Sequence, residues 1–247
     1  MSGRLEGKRC LVTGGGSGIG RAVARRFAKE GALVVVSGRR LDALEETSEG
    51  VPAISVFPGD ASSAEVGRGM VEAVVDRHGG LDVLFHAAGI LRRNEQFDET
   101  TEDEWRHDVD VNLTGTFQVC RFAIPHLRET QGTIVLVASQ LAHISAPGYA
   151  TYTATKHAAL GLVRSLALDL GPEGVRVNAL SPGVVETDMA YIGRDFAAMR
   201  EKVAQTIPLR RVGEPDDMTG PAVFLASEDS AWMTGQSLVV DGGFTAQ

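Results

Sequence analysis

Tyr152 and Lys156 stand four residues apart in Tyr152-Thr153-Ala154-Thr155-Lys156, a spacing that puts a phenol and an ammonium on one face of a helix. A phenol with its ordinary pKa of about 10 is a poor base at neutral pH. Ionising it there costs roughly 4 kcal/mol, and a nearby cation is what offsets that cost. The pair therefore points to proton transfer. Thirteen residues upstream, Ser139 ends the apolar run Thr133-Ile134-Val135-Leu136-Val137-Ala138, and near the start of the chain a second apolar run opens into Thr13-Gly14-Gly15-Gly16-Ser17-Gly18-Ile19-Gly20.

Groups so far apart in sequence need a scaffold to bring them together. Short runs rich in Val, Ile and Leu that do not alternate with polar residues, at 9–13, 33–37, 53–58, 81–86, 133–138, 175–180 and 237–240, read as buried parallel strands. Helical patterns lie between them at 18–30, 41–48, 64–78, 101–113, 116–129, 149–170 and 216–225, with Ser62-Ser63-Ala64-Glu65 expected as a capping box. Strand and helix alternating along the whole chain predict a doubly wound α/β fold: a single Rossmann domain over 1–247, with a seven-stranded parallel sheet and helices on both faces. The stretch 183–211 shows no clear periodicity and is expected to be a substrate loop or lid.

Composition fits one domain: 247 residues, 43% hydrophobic, with no segment rich in Pro, Ser or Gly to divide them. A net charge of −8 argues against a nucleic-acid partner, and Arg39-Arg40, Arg92-Arg93 and Arg210-Arg211 are isolated pairs rather than a basic patch. The chain has only two cysteines, Cys10 and Cys120, no apolar signal core in Met1-Ser2-Gly3-Arg4-Leu5-Glu6-Gly7-Lys8, and no apolar run of membrane length. The expectation is a cytoplasmic protein without a membrane partner.

Gly14, Gly18 and Gly20 follow a strand and open a helix, where glycine allows a tight turn and close backbone approach to a pyrophosphate at the helix N-terminus. Gly20-Arg21-Ala22 excludes a P-loop. An NAD site calls for a carboxylate at the end of the second strand, on the ribose 2′-hydroxyl. That strand here ends Ser37-Gly38-Arg39-Arg40, with no carboxylate before Asp42, which favours NADP through Arg39, and with it Arg40, on the 2′-phosphate. NAD remains the alternative, with both arginines solvating a helix start.

Over essentially its full length the chain resembles the short-chain dehydrogenase/reductase superfamily, in particular its 3-oxoacyl reductases and carbonyl reductases. The matching residues are Thr13-Gly14-x-x-x-Gly18-x-Gly20, Asp60, Ala87-Ala88-Gly89, Asn112, Ser139, Tyr152-x-x-x-Lys156 and Pro182-Gly183. The resemblance implies that Tyr152 is the acid/base and that Ser139 steadies the substrate oxygen. Lys156 would bind the nicotinamide ribose and lower the tyrosine pKa, and Asn112 would hold a water in a proton relay. It further implies a dinucleotide bound by Gly14, Ser17, Gly18, Ile19 and Gly20, with Asp60 and Ala61 at the adenine. Ala87, Gly89, Pro182 and Gly183 would lie along the cofactor, and Val185 and Thr187 near the carboxamide. His86 stands where many relatives carry Asn, and is expected to make local hydrogen bonds at a strand end.

The six histidines show no ligand spacing, so no metal is expected. The tail Asp241-Gly242-Gly243-Phe244-Thr245-Ala246-Gln247 is nonetheless similar to that of certain (R)-specific secondary alcohol dehydrogenases that bind magnesium. The segment 153–170 is apolar beyond one stripe, suiting a helix with the sheet on one side and a partner subunit on the other; the family's helix-mediated homotetramer fits. The expected function is NADP(H)-dependent hydride transfer between nicotinamide and a carbonyl or secondary alcohol of a small molecule. The alternatives are an NAD-linked sugar, polyol or alcohol dehydrogenase and a non-catalytic dinucleotide sensor. The substrate pocket is expected from 140–148 and 189–199, with Leu141, His143, Ile144, Tyr191, Ile192 and Phe196 in its wall.

Overall fold

The structure is a computed structural model that describes residues 3–93, 96–191 and 196–246, without the side chains of Tyr191 and residues 196–198. The expected wall residue Ile192 and the side chains of Tyr191 and Phe196 therefore lie outside the described residues. The strands are β1 (Arg9–Thr13), β2 (Leu33–Gly38), β3 (Ile54–Pro58), β4 (Val83–His86), β5 (Thr133–Val137), β6 (Arg176–Pro182) and β7 (Ser237–Val240). They form one seven-stranded sheet in the order β3-β2-β1-β4-β5-β6-β7, parallel throughout. The order reverses between β1 and β4, and a crevice opens beyond the strand C-termini at such a point. Thr13 pairs in register with His86 there, so the first glycine loop and the Ala87-Ala88-Gly89 segment leave the sheet side by side.

Helices α1 (Gly18–Lys29), α2 (Leu41–Ser48), α3 (Ala64–His78), α4 (Glu102–Val109), α5 (Gly115–Thr130), α6 (Ala150–Leu170), α7 (Asp188–Tyr191), α8 (Phe196–Thr206) and α9 (Thr219–Ala226) cover it. Successive strand residues face opposite sides, and the core is accordingly double. Leu11, Leu84, Ile134 and Val177 pack against Val74 of α3, Val119 and Leu127 of α5 and Val163 of α6. Val12, Phe85, Val135 and Leu180 pack against Val23 and Phe27 of α1 and Val223 of α9. Each fully buried side chain of this size contributes about 1.5–3 kcal/mol. Both faces are apolar, which is why these strands read as continuous rather than alternating runs.

Three local expectations differ from what is found. Ser63, not Ser62, caps α3: its hydroxyl accepts the Val66 N–H at 3.4 Å, and Val66 has no carboxylate to return the bond. Ser62 instead donates to Asp60 at 2.8 Å. A reciprocal capping box occurs at Thr101 and Glu104, at the start of α4. Between α4 and α5 the chain makes a π-helical turn, Asp110–Thr114, rather than breaking. The stretch 183–211 holds two helices, α7 and α8, which a search for long periodic segments passes over.

Candidate active site

The loop from β1 to α1 is built on glycines for steric reasons. Gly14 has φ +67°, and a Cβ there would sit 2.8 Å from the Ala87 carbonyl. A Cβ on Gly20 would collide with the Gly14 carbonyl. Ser17 occupies the N-cap of α1 without using its side chain as a cap, and no acidic residue stands in the first turn. The first-turn N–H groups and the positive end of the helix dipole thus face the crevice with no side-chain anion on them, an arrangement that fits a pyrophosphate.

A cavity of about 480 Å³ runs from this loop. Gly14, Ser17, Gly18, Ile19 and Gly20 form one end, and Ala87 and Gly89 a side. Ser139, Tyr152 and Lys156 lie along it, and Pro182, Gly183, Val185 and Thr187 close it from β6. Thr187 packs directly on Gly18: a Cβ there would lie 2.9 Å from its Cγ2. A smaller cavity of about 160 Å³ adjoins at Gly14 and Ser17 and is lined by Arg39, Arg40, Asp60 and Ala61. Arg40 pairs with Asp188 at 3.8 Å, whereas Arg39 makes no ion pair with a described residue. Burial raises the Asp60 carboxyl, but the Ser62 N–H and O–H bonds outweigh it and hold the pKa below the usual range. Asp60 is thus both a turn residue and a wall of this cavity.

Tyr152 is buried, and it lines the cavity beside Ser139, which acts to lower the phenol's pKa. Ser139 Oγ accepts the Leu141 N–H at 3.1 Å, which leaves the serine proton free to point elsewhere. Lys156 Nζ donates to the Val137 carbonyl at 2.8 Å and lies 5.5 Å from the centre of the Tyr152 ring. Burial pushes the phenol up to about 12, with Ser139 opposing it only in part. Burial also pulls the ammonium down to about 8. The expected lowering of the tyrosine by Lys156 is not seen in this arrangement, because the ammonium sits against the ring and a carbonyl while desolvation of the phenol dominates.

Asn112, in the π-helical turn, stands behind the cavity wall. Its Oδ1 accepts the Ile90 N–H at 2.8 Å, and its Nδ2 donates to the Ile90 carbonyl at 3.0 Å and to Thr155 Oγ1 at 3.2 Å. The side chain expected to hold a water thus ties the segment after β4 to α6, one residue from Lys156. His86 makes the local bond expected of it, with Thr13 Oγ1 at 2.9 Å from its Nδ1, and Thr13 Oγ1 also accepts the Ala88 N–H at 3.2 Å. Burial, reinforced by the charge of Lys156, lowers His86 to about 3.

A family profile described as Enoyl-(Acyl carrier protein) reductase matches residues 14–245. The chain belongs to the short-chain dehydrogenase/reductase superfamily. It is 37% identical to the 3-oxoacyl-[acyl-carrier-protein] reductase FabG of Thermotoga maritima over 245 residues, covering 97% of this chain and 98% of that one. It is 38% identical to the glucose 1-dehydrogenase of Gluconobacter oxydans over 249 residues, covering 98% and 93%. A crystal structure of a short-chain type dehydrogenase/reductase from Mycobacterium marinum superposes with a TM-score of 0.92 at 32% identity, covering 98% and 97%.

Of the remaining walls of the cavity, sequence reasoning found only part. Leu141 lines the cavity, but His143 turns away and bonds Ser237 at 3.0 Å and Ser181 at 3.3 Å, in a separate hollow with Arg164. Gln140, Met189 and Met199 line the cavity from the two expected segments, whereas Arg93, Val203, Ile207 and Phe244 were not anticipated as lining residues. Met199, Val203 and Ile207 recur every four residues, and that stripe is the signal by which α8 could have been found. Phe244 arrives from the tail. Asp241 holds the tail by accepting the Gly243 N–H at 2.9 Å and the Thr245 N–H at 2.7 Å, so its carboxylate is engaged in a turn. Among the described residues no group of three or more His, Cys, Asp or Glu is placed to hold a metal, and none of the described helices is long and apolar enough to cross a membrane.

Proposed function

We propose that this chain is an NADP(H)-dependent oxidoreductase that interconverts a carbonyl and a secondary alcohol, working as a single dinucleotide-binding domain with 183–211 over the substrate. The observation that carries the reading is that Tyr152, Ser139 and Lys156 line one cavity together with the glycine cradle of α1. The residues present fit the dinucleotide. The α1 N-terminus would hold the pyrophosphate, Arg39 the 2′-phosphate, Asp60 and Ala61 the adenine end, Lys156 and Tyr152 the nicotinamide ribose, and Pro182 to Thr187 the carboxamide. Bound there, the cofactor supplies or receives the hydride.

The chain supplies the proton. With its pKa held at about 12, Tyr152 is protonated at neutral pH and is a hydrogen-bond donor to a substrate oxygen, which suits the reductive direction. Ser139, already accepting from Leu141 N–H, points its own proton at the same oxygen, so two donors meet the negative charge as it develops. Lys156 is mostly protonated at pH 7 and returns charge to the phenol side once that proton has left. Asn112 positions both groups by fixing Ile90 to Thr155, whose hydroxyl in turn bonds the Tyr152 carbonyl at 2.8 Å.

The names of the relatives, a 3-oxoacyl reductase and a glucose 1-dehydrogenase, agree with carbonyl and secondary-alcohol chemistry. Small and apolar residues on the outer side of α6, including Ala158, Leu162 and the exposed Leu168, support a homotetramer built through that helix. The test is a panel of aldehydes, ketones and secondary alcohols assayed with each cofactor. Reduction with a kcat/KM ratio for NADPH over NADH well above one is expected. A ratio below one overturns the NADP assignment, and turnover of no carbonyl or alcohol overturns the enzyme reading.

A further inference from the structure

Beyond the nicotinamide end the cavity is largely apolar, with Leu91, Leu141, Met189, Met199, Val203 and Ile207 in its walls. Two charged side chains line it, Lys156 and Arg93, and no Asp or Glu does so among the described residues. In a chain with 32 acidic and 24 basic residues that is a local reversal of sign. Lys156 is buried and bonded to Val137. Arg93 is exposed and still lines the cavity, which places it at the mouth.

A solvated arginine on a surface loop is ordinary; what sets Arg93 apart is the loop that carries it. Ile90, three residues before it, is held at both N–H and C=O by Asn112. Arg92, immediately before it, is bound to the buried Asp108 at 3.1 Å and to Glu104 at 3.1 Å. Of two adjacent arginines, one is thus neutralised and anchors the backbone, and the other makes no ion pair with a described residue and stands at the entrance of a cavity that no carboxylate among the described residues lines. A guanidinium on a fixed stem is suited to a planar or tetrahedral anion, which it meets with two parallel N–H donors.

We propose that the substrate carries an anionic group, a carboxylate or a phosphate, which Arg93 holds at the cavity mouth while the carbonyl meets Ser139 and Tyr152. The proposal rests on the reading of Tyr152 and Ser139 as the groups that receive the substrate oxygen. It makes Arg93 a specificity-determining residue, with the apolar walls accommodating the carbon chain between carbonyl and anion.

The experiment compares 2-oxo, 3-oxo and 4-oxo carboxylates with their methyl esters, and dihydroxyacetone phosphate with dihydroxyacetone, in the wild type, Arg93→Gln and Arg93→Lys. At least one anionic member is expected to exceed its neutral partner in kcat/KM by tenfold or more. Arg93→Gln should cut that ratio at least tenfold, chiefly through KM, and Arg93→Lys should restore part of it. The carboxylate and phosphate arms show which anion is meant. Ratios near one throughout, or ratios that Arg93→Gln leaves standing, overturn the proposal while leaving the oxidoreductase reading intact. An equal loss on both members of a pair, with a raised KM for NADPH, also overturns it and reassigns Arg93 to the cofactor. Reduction of no compound in the set or in the wider carbonyl panel removes the oxidoreductase reading and this proposal with it.

Discussion

Replacing His86 by Asn tests the electrostatics of the strand ends directly. His86 is 3% exposed, and burial together with the charge of Lys156 lowers its pKa from 6.5 to about 3. Between those two pH values the unfolded chain takes up a proton at this residue and the folded chain does not, so stability rises with pH across the window and is lost as pH falls from 6.5 towards 3. Each pH unit in the window is worth about 1.4 kcal/mol, so from pH 7 to 4.5 this one group removes about 2–3 kcal/mol, a large share of a typical domain's stability. Asn does not titrate and can still reach the Thr13 hydroxyl. The assay is urea unfolding followed by circular dichroism at several pH values and one protein concentration, comparing the loss between pH 7 and 4.5 in each protein. Carboxylates that lose their partners in acid contribute equally to both and cancel. The variant should lose about 2–3 kcal/mol less than the wild type. Parallel curves would refute the reasoning and show that the ring is solvated or charged in the folded protein.

Three further outcomes concern turnover. Tyr152→Phe should lower kcat at least about a hundredfold with little change in cofactor affinity measured by fluorescence titration, since only the proton donor is lost; near-normal turnover removes Tyr152 from the mechanism. Lys156→Ala should weaken NADPH binding as well as turnover, and in the wild type kcat/KM should fall as pH rises through about 8, where the ammonium loses its proton. A pure turnover defect, or a limb absent from the pH profile, contradicts the dual role. Arg39→Ala should weaken NADPH roughly ten- to a hundredfold, the loss of one charge-assisted contact of about 1.5–3 kcal/mol, and leave NADH nearly unchanged. An unaltered NADPH preference moves the phosphate contact to Arg40, whose present partner is Asp188.

The groups legible in the sequence were those whose side-chain type is itself the chemistry. A phenol, an ammonium, a hydroxyl and a run of glycines keep their meaning wherever the chain carries them, and the strands that bring them together are apolar on both faces, so their boundaries were found to within two residues at either end. Partners drawn from the backbone were not legible. The Val137 carbonyl that holds Lys156, and the Ile90 amide that holds Asn112, use groups nearly every residue possesses, and only the three-dimensional register selects them. Desolvation escaped for the same reason: the phenol was expected to be lowered by its neighbour, yet how far burial outweighs that neighbour is a property of the packed site. The S-x-x-E pattern at Ser62 failed because it leaves open which serine ends the turn, and Asp60 claimed the first one. The cavity wall at Phe244 comes from a short irregular segment at the end of the chain with no periodic mark, and the stripe of Met199, Val203 and Ile207 is only three residues long.

The π-helical turn at Asp110–Thr114 makes α4 and α5 one continuous rod with a slip of phase in the middle. The residues flanking the turn keep right-handed helical angles, and Thr116 closes on the Asn112 carbonyl at 2.7 Å. A π turn amounts to one residue inserted into an α-helix, and one residue is about 100° of rotation and 1.5 Å of rise. Counted along the chain, the inward side of α4, marked by the buried Asp108, and that of α5 are therefore out of step, and Asn112 occupies the place where the phase is reset. Removing a single residue there would give a more regular helix, and would also swing the amide about a quarter-turn away from Ile90. Between Glu102 and Thr130, then, a one-residue change in length would disturb this site more than most changes of residue type.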